Sequence, residues 1–182
     1  MPTTLRVHAS YHQYNLFETD ADDTPDDGTP GNGLVQVNAD GDYVTVNTGI
    51  QDGYLDLGYE VFDQEPPLDT TGWDEVVDIS ARFAPPGAGI TSPDGDGDYE
   101  KYLPDGETYG ITLPGPDAEP HWWRIRIHAR GRDNGLHKAF VDPEAGDDVT
   151  EQHLLHIWTA PPAAEERHKL TDQVGEKFRT GR

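Results

Sequence analysis

Six carboxylates fall within ten residues, Glu18, Asp20, Asp22, Asp23, Asp26 and Asp27, directly after an uncharged stretch, Ser10 to Phe17, that carries three aromatic rings and His12. Carboxylates at this density serve one of three ends. They wrap a hard cation such as Ca2+, which takes about six to eight oxygen ligands, they steer a cationic partner toward the neighbouring rings, or they merely solvate a loop. A second acidic stretch, "SPDGDGDYEKYLPD", comes nearer to a calcium loop. Asp94, Asp96 and Asp98 take its first, third and fifth positions and Asp105 its twelfth. Tyr99 stands where the EF-hand pattern needs Gly, and Asp105 where it needs a bidentate Glu.

Other chemistry finds less support. His153 and His156 project to opposite faces of a strand, as do His121 and His128, and His8 and His12 share a face only on one unbroken strand. Without carboxylates at matched offsets, these make no zinc or iron set. No nucleophile elbow, phosphate loop or dinucleotide fingerprint occurs, and the reading is of a non-catalytic protein with no cofactor other than a candidate Ca2+. Arg124, Arg126, His128 and Arg130 form a cationic ridge on one strand face. It would hold an anion through Arg124, Arg126 and Arg130, or pair across strands with carboxylates such as Asp56, Glu60 and Asp78. Trp73, Trp122, Tyr11 and Tyr14 are candidate surface anchors, and Trp123 and Trp158 candidate core.

Strands must position these groups. Alternation is clear in "YLDLGYEVF" from Tyr54, "VVDISARF" from Val76 and "WRIRIHARG" from Trp123, and weaker in the stretches from Leu5, Leu34, Tyr43, Tyr109 and His153. Clusters of Gly, Pro, Asp and Asn between them read as turns. The expected fold is all-β, an antiparallel two-sheet β-sandwich with long acidic loops over residues 1–162, with a barrel as the alternative. Residues 163–182 read as a charged C-terminal tail. Its "AEERHKLTDQVGEKFR" starts acidic and ends basic, as a helix or as a segment that orders on contact.

The chain has 182 residues and a net charge of −22, of which −19 lies in residues 1–100 and −3 in the remainder. Such a field repels nucleic acid and anionic membranes and favours a basic protein partner; a saline or biased proteome would produce the same composition. The lack of Cys removes disulfides and thiolate sites. No apolar run reaches membrane-spanning or signal-peptide length, so the expected location is cytoplasmic.

The stretch "SYHQYNLFETD", an aromatic strand leading to an acidic loop with Pro, resembles the start of the competence protein J family, small bacterial inhibitors of a membrane-associated DNA-entry nuclease. "YGITLPGPDAEPHWWRIRIHARG" is similar to a later strand, turn and strand of that family. This chain is longer and more acidic, with an extended turn at Pro114 to Pro120. The resemblance implies an inhibitor or immunity protein that docks on a nuclease or toxin through Tyr11, His12, Gln13 and Tyr14; the charge of the chain independently adds Glu18, Asp20, Asp22, Asp23, Asp26 and Asp27 as the steering edge beside them. The alternative is a β-sandwich that binds calcium at Asp94, Asp96 and Asp98, or a small ligand.

Overall fold

A computed structural model describes residues 1–18, 20–22, 31–94, 110–116, 119–138 and 140–181. Eleven strands run through them: β1 (Thr3–Ser10), β2 (Gln13–Phe17), β3 (Val35–Val37), β4 (Tyr43–Asn47), β5 (Asp52–Phe62), β6 (Glu75–Phe83), β7 (Gly87–Thr91), β8 (Ile111–Thr112), β9 (His121–Arg130), β10 (Gln152–Thr159) and β11 (Glu166–Leu170). Two short helices join them, α1 (Arg132–Gly135) and α2 (Gln173–Thr180). No described helix is long and apolar enough to cross a membrane.

The expected two-sheet antiparallel sandwich is corrected to one open, curled, mixed sheet, a half-barrel. Its order is β11-β6-β9-β10-β5-β1-β2-β4-β3, with β7 added on β2 and β8 on β7. The pair β10–β5 is parallel and the other pairs are antiparallel. Alternation has the same period in a sandwich and in a curled sheet, so the sequence pattern separates neither from the other. What alternation does establish is the filling. Leu55 and Leu57 of β5, Val77 and Ile79 of β6, Ile125 and Ile127 of β9, and Leu155 and Ile157 of β10 are buried in one core. Intervening residues such as Asp56, Glu60, Arg124 and Arg126 stand on the outer face.

Both ends of the path are blunted against pairing with other chains. β11 is charged and carries a register shift between Arg167 and Lys169. β3 has three residues, and the Asn32 side chain covers its first, accepting from Val35 N–H at 2.8 Å and donating to Val35 O at 2.9 Å. Residues 163–181 of the expected tail are built into this scheme. β11 pairs with β6, and α2 is capped by Asp172, which accepts from Gly175 N–H at 2.6 Å. Asp133 accepts from the N–H groups of Gln173 and Val174 at 2.9 and 3.1 Å.

Candidate functional site

Ser10, Tyr11, His12 and Gln13 form a two-residue hairpin in which Ser10 pairs with Gln13. Tyr11 and His12 both have positive φ, 51° and 63°, as a type I′ turn demands. Asn-Gly usually serves there, and each non-Gly residue in this region costs about 1–2 kcal/mol. Bonds hold the turn: His12 N–H donates to Gln51 O at 3.2 Å, Thr48 N–H to His12 O at 2.8 Å, and the His12 ring meets Gly49 O at 3.2 Å. The turn points Tyr11 into solvent, 72% exposed. It also separates His12 from His8, which remains on β1, with its ring 3.2 Å from Asp52 and 3.4 Å from Ser92. Ser92 donates its hydroxyl to Asp94 at 2.9 Å.

Tyr14 lies in the core at 0% exposure, which corrects its reading as a docking residue. β2 is covered on both faces, and Tyr14 points inward with Leu16. Its hydroxyl is hydrogen-bonded to His153 Nδ1 at 3.0 Å, and His153 Nε2 to Glu151 at 3.0 Å. Glu151 in turn accepts from the N–H groups of Gly49 and Ile50 at 3.1 Å. Burial, then the Glu151 charge, pushes the Tyr14 hydroxyl well above its usual pKa. It stays protonated within a sealed chain that satisfies its own polar groups.

The described acids of the run after Phe17 gather at the far end of β2. Glu18 N–H donates to Asp42 O at 2.9 Å, and Glu18 accepts from Ala84 N–H. Asn38 draws in Asp22 and Asp42, donating to Asp22 O at 3.0 Å and to Asp42 Oδ1 at 2.7 Å. Asp20, Asp22 and Asp40 are exposed. The structure therefore brings sequence-distant Asp40 and Asp42 to Glu18, Asp20 and Asp22. It also places Tyr11 at the opposite end of β2, about 17 Å away over five strand residues. Asp23, Asp26 and Asp27 lie outside the described residues, as do Asp96, Asp98 and Asp105. Of the calcium candidates Asp94 is described, and its N–H donates to Ser10 Oγ at 3.3 Å. Among the described residues no group of three or more His, Asp or Glu is arranged to hold a metal ion.

The cationic ridge is engaged with protein groups. Arg126 is buried and forks onto Asp78 at 2.8 and 2.9 Å, with further bonds to Glu65 at 3.0 Å and Pro66 O at 3.1 Å. Arg124 is buried against Ser80, Ala163 O, Ala164 O and Glu166. Arg130 is exposed and holds Gln152, with its guanidinium 4.8 Å from the Trp73 ring centroid. Of the carboxylates read as its partners, Asp78 serves the ridge, Asp56 pairs with Arg6 at 2.7 Å, and Glu60 with the terminal amine at 3.4 Å.

A groove of about 380 Å³ runs along the seam of the half-barrel, between β3 and β6, with Val35, Ile79, Trp122 and Pro162 among its lining. Trp122 packs on the turn at Gly41, where a Cβ would stand 2.6 Å from the indole. Alternation marks Trp122 as outward-facing, but the approach of β3 to β6 follows from a curl that local pattern does not encode.

No family model matches the chain, and no curated protein matches it by sequence. Among solved structures it is similar to a protein described as crocagin biosynthetic gene J, at 11% identity and a TM-score of 0.53, over 88% of this chain and 98% of that one. Its structural neighbours also include ComJ, inhibitor of the DNA degrading activity of NucA, from Bacillus subtilis, at 8% identity and a TM-score of 0.46, over 88% of this chain and 99% of the other. That weak, partial neighbour belongs to the family that Ser10–Phe17 resembles. With the first of the two, this chain shares a fold along nearly its whole length.

Proposed function

We propose that the chain is a non-catalytic binding protein that docks on a strongly cationic protein, a nuclease or toxin, and blocks it. The observation that carries this is the disposition of charge. Arg124, Arg126 and Arg132 are buried and tied to protein carboxylates and carbonyls, while Asp20, Asp22 and Asp40 stand exposed at one end of the sheet. A nuclease cleft is cationic because it grips a polyanion, and carboxylates presented there compete for the phosphate positions. The sealed Glu151–His153–Tyr14 chain suits a scaffold rather than a reaction centre. The resemblance of Ser10–Phe17 to a nuclease-inhibitor family points the same way.

The test is capture from native lysate on the purified chain at low salt and at about 0.5 M salt, where exposed charges are screened. A DNA-degrading activity should be retained at low salt, released at high salt, and inhibited when the chain is added back. Replacing Asp20, Asp22, Asp23, Asp26 and Asp27 by Asn should slow association at low salt by about tenfold or more. An unchanged rate would remove the steering role from this run, and a captured enzyme that remains fully active would remove inhibition.

A further inference from the structure

Between β5 and β6 the chain crosses the outer face of the sheet as a strap, residues 63–72. Arg126 of β9 donates to Glu65 at 3.0 Å and to Pro66 O at 3.1 Å, and Pro66 is buried. Lys169 of β11 donates to Thr70 O at 3.4 Å. Because β6 lies between β9 and β11, the strap passes over β6, and Val76 is fully buried there although alternation sets it on the outer face. Rings flank the strap at both ends. Phe62, just before it, meets His156 at 5.0 Å between centroids, and Trp73, just after it, meets His128 at 5.3 Å. The two imidazoles touch each other edge to face at 4.8 Å. Phe62, His156, His128 and Trp73 therefore make one continuous stack that clasps the strap where it leaves the sheet and where it returns.

This clasp is built for neutral imidazoles. His128 Nδ1 is bonded to Leu154 O at 3.1 Å, and His156 Nδ1 is buried with no hydrogen-bond partner. Cations crowd the pair: His156 stands opposite Arg126 across β10 and β9, and Arg130 lies on Trp73. Carboxylates face it as well, Glu60 of β5, Asp78 of β6 and Asp69 of the strap. Glu60 and Asp78 are already engaged, however, Glu60 with the terminal amine and Asp78 with the Arg126 fork and with His168 of β11 at 3.2 Å. Glu65 is held by Arg126 in the same way. Burial decides the balance and holds both histidines below their ordinary pKa, His128 at about 4.

We propose that residues 63–72 form an acid-released latch: a proton on His128 or His156 parts the ring stack, and the strap lifts from β6 and β9 while the sheet beneath stays folded. Release takes Glu65 and Pro66 O away from Arg126 and uncovers a face that carries Arg126, His128 and Arg130 on an otherwise acidic molecule. The sign follows from linkage. With the strap open the imidazoles are solvated and titrate at their ordinary 6.5, so acid favours the open form, with no gain above 6.5 and a gain that grows as pH falls toward 4. Between pH 7.5 and pH 5, His128 alone raises the open population about 30-fold. His156 adds to it in the same direction. The latch stands apart from the acidic end of β2 and does not depend on the reading of the chain as an inhibitor.

The test is thiol labelling of the full chain, which has no Cys of its own, so that a single Cys placed at Val76 reports on the strap. In Val76→Cys, the rate of reaction with dithiodipyridine, taken relative to a short Cys peptide at the same pH, should rise about 30-fold or more from pH 7.5 to pH 5. In Leu57→Cys, whose site is in the core, the thiol should stay protected at both pH values. With His128→Gln and His156→Gln added to Val76→Cys, the rise should fall below about threefold. If those two changes open the strap already at pH 7.5, His128→Phe, which keeps a ring between Trp73 and His156, should lower the rise about 30-fold. A flat rate in Val76→Cys would overturn the latch. So would an equal rise in Leu57→Cys, which would mean that the whole fold opens, or a full rise in the variants that lack the titrating rings.

Discussion

His128 and Glu75 are buried titratable groups whose effects on stability have opposite signs. Burial holds His128 down to about 4, against its bond to Leu154 O, with His156 and Arg126 adding repulsion. A base with a lowered folded pKa stabilises the fold fully above its ordinary 6.5 and loses that contribution as pH falls toward 4, by up to about 3 kcal/mol. Burial, then the Asp172 charge, pushes Glu75 up to about 7, with Arg132 opposing. A carboxylate with a raised folded pKa contributes below its ordinary 4.5 and loses that contribution as pH rises toward 7. Between about 4.5 and 6.5 the two slopes offset each other. Urea midpoints measured across that range should therefore fall with acid more steeply in Glu75→Gln than in the parent. In His128→Gln they should instead fall as pH rises. Parallel profiles for all three proteins would show that neither group titrates as its surroundings dictate.

Arg132 joins separate elements into one unit. It forks onto Asp172 at 2.6 and 2.8 Å and donates to Gly33 O and Asn47 O at 3.1 and 3.0 Å, so α1 grips the cap of α2, the approach to β3, and the end of β4. Arg132→Leu leaves Asp172 and Glu75 buried without that cation, and should cost about 3–5 kcal/mol in equilibrium unfolding. A loss below about 1 kcal/mol would mean that α2 does not depend on it. How much of these elements was legible follows from what sets each. β5, β6 and β9 announce themselves because one face is core and the other polar, at Leu55 to Val61, Val77 to Phe83 and Trp123 to Ala129. β2 does not, since Tyr14, Asn15 and Leu16 are all buried. β7, in Gly87–Thr91, falls partly in a stretch that reads as a turn. β11 carries Glu166, Arg167, His168 and Lys169 in a run that reads as helical, and it becomes a strand because β6 offers an edge. The helix expected from the charge order of the tail is met only in its second half, as α2, since the acids that set that order, Glu165 and Glu166, precede or lie in β11. Of the site, the acids were legible and their gathering was not: Tyr14 left the surface and Asp40 and Asp42 joined it, both results of pairing across the sheet.

The whole molecule folds against its own charge. Net −22 on one small body destabilises the compact state by self-repulsion, which salt relieves. The melting temperature should rise with NaCl to about 0.5 M, by about 2–4 °C for each kcal/mol of repulsion removed. A melting temperature that is flat or falling with salt would mean that ion pairs such as Arg6–Asp56 outweigh the repulsion. The parallel pair of β5 with β10 has a further consequence, one of timing. β5 can take β1 on one side as soon as it is made, but its other edge waits for residues 152–158. At about 5–20 residues per second, a ribosome leaves that eleven-residue edge open for some 5–20 s. During that interval β5 is a nascent strand with Leu55, Leu57, Tyr59 and Val61 on one face, the profile of an aggregation-prone segment. Asp56 and Glu60 on its other face act as gatekeepers. Acidity here guards the unfinished chain, and neutralising those two positions should lower soluble yield more than it lowers the stability of the finished protein.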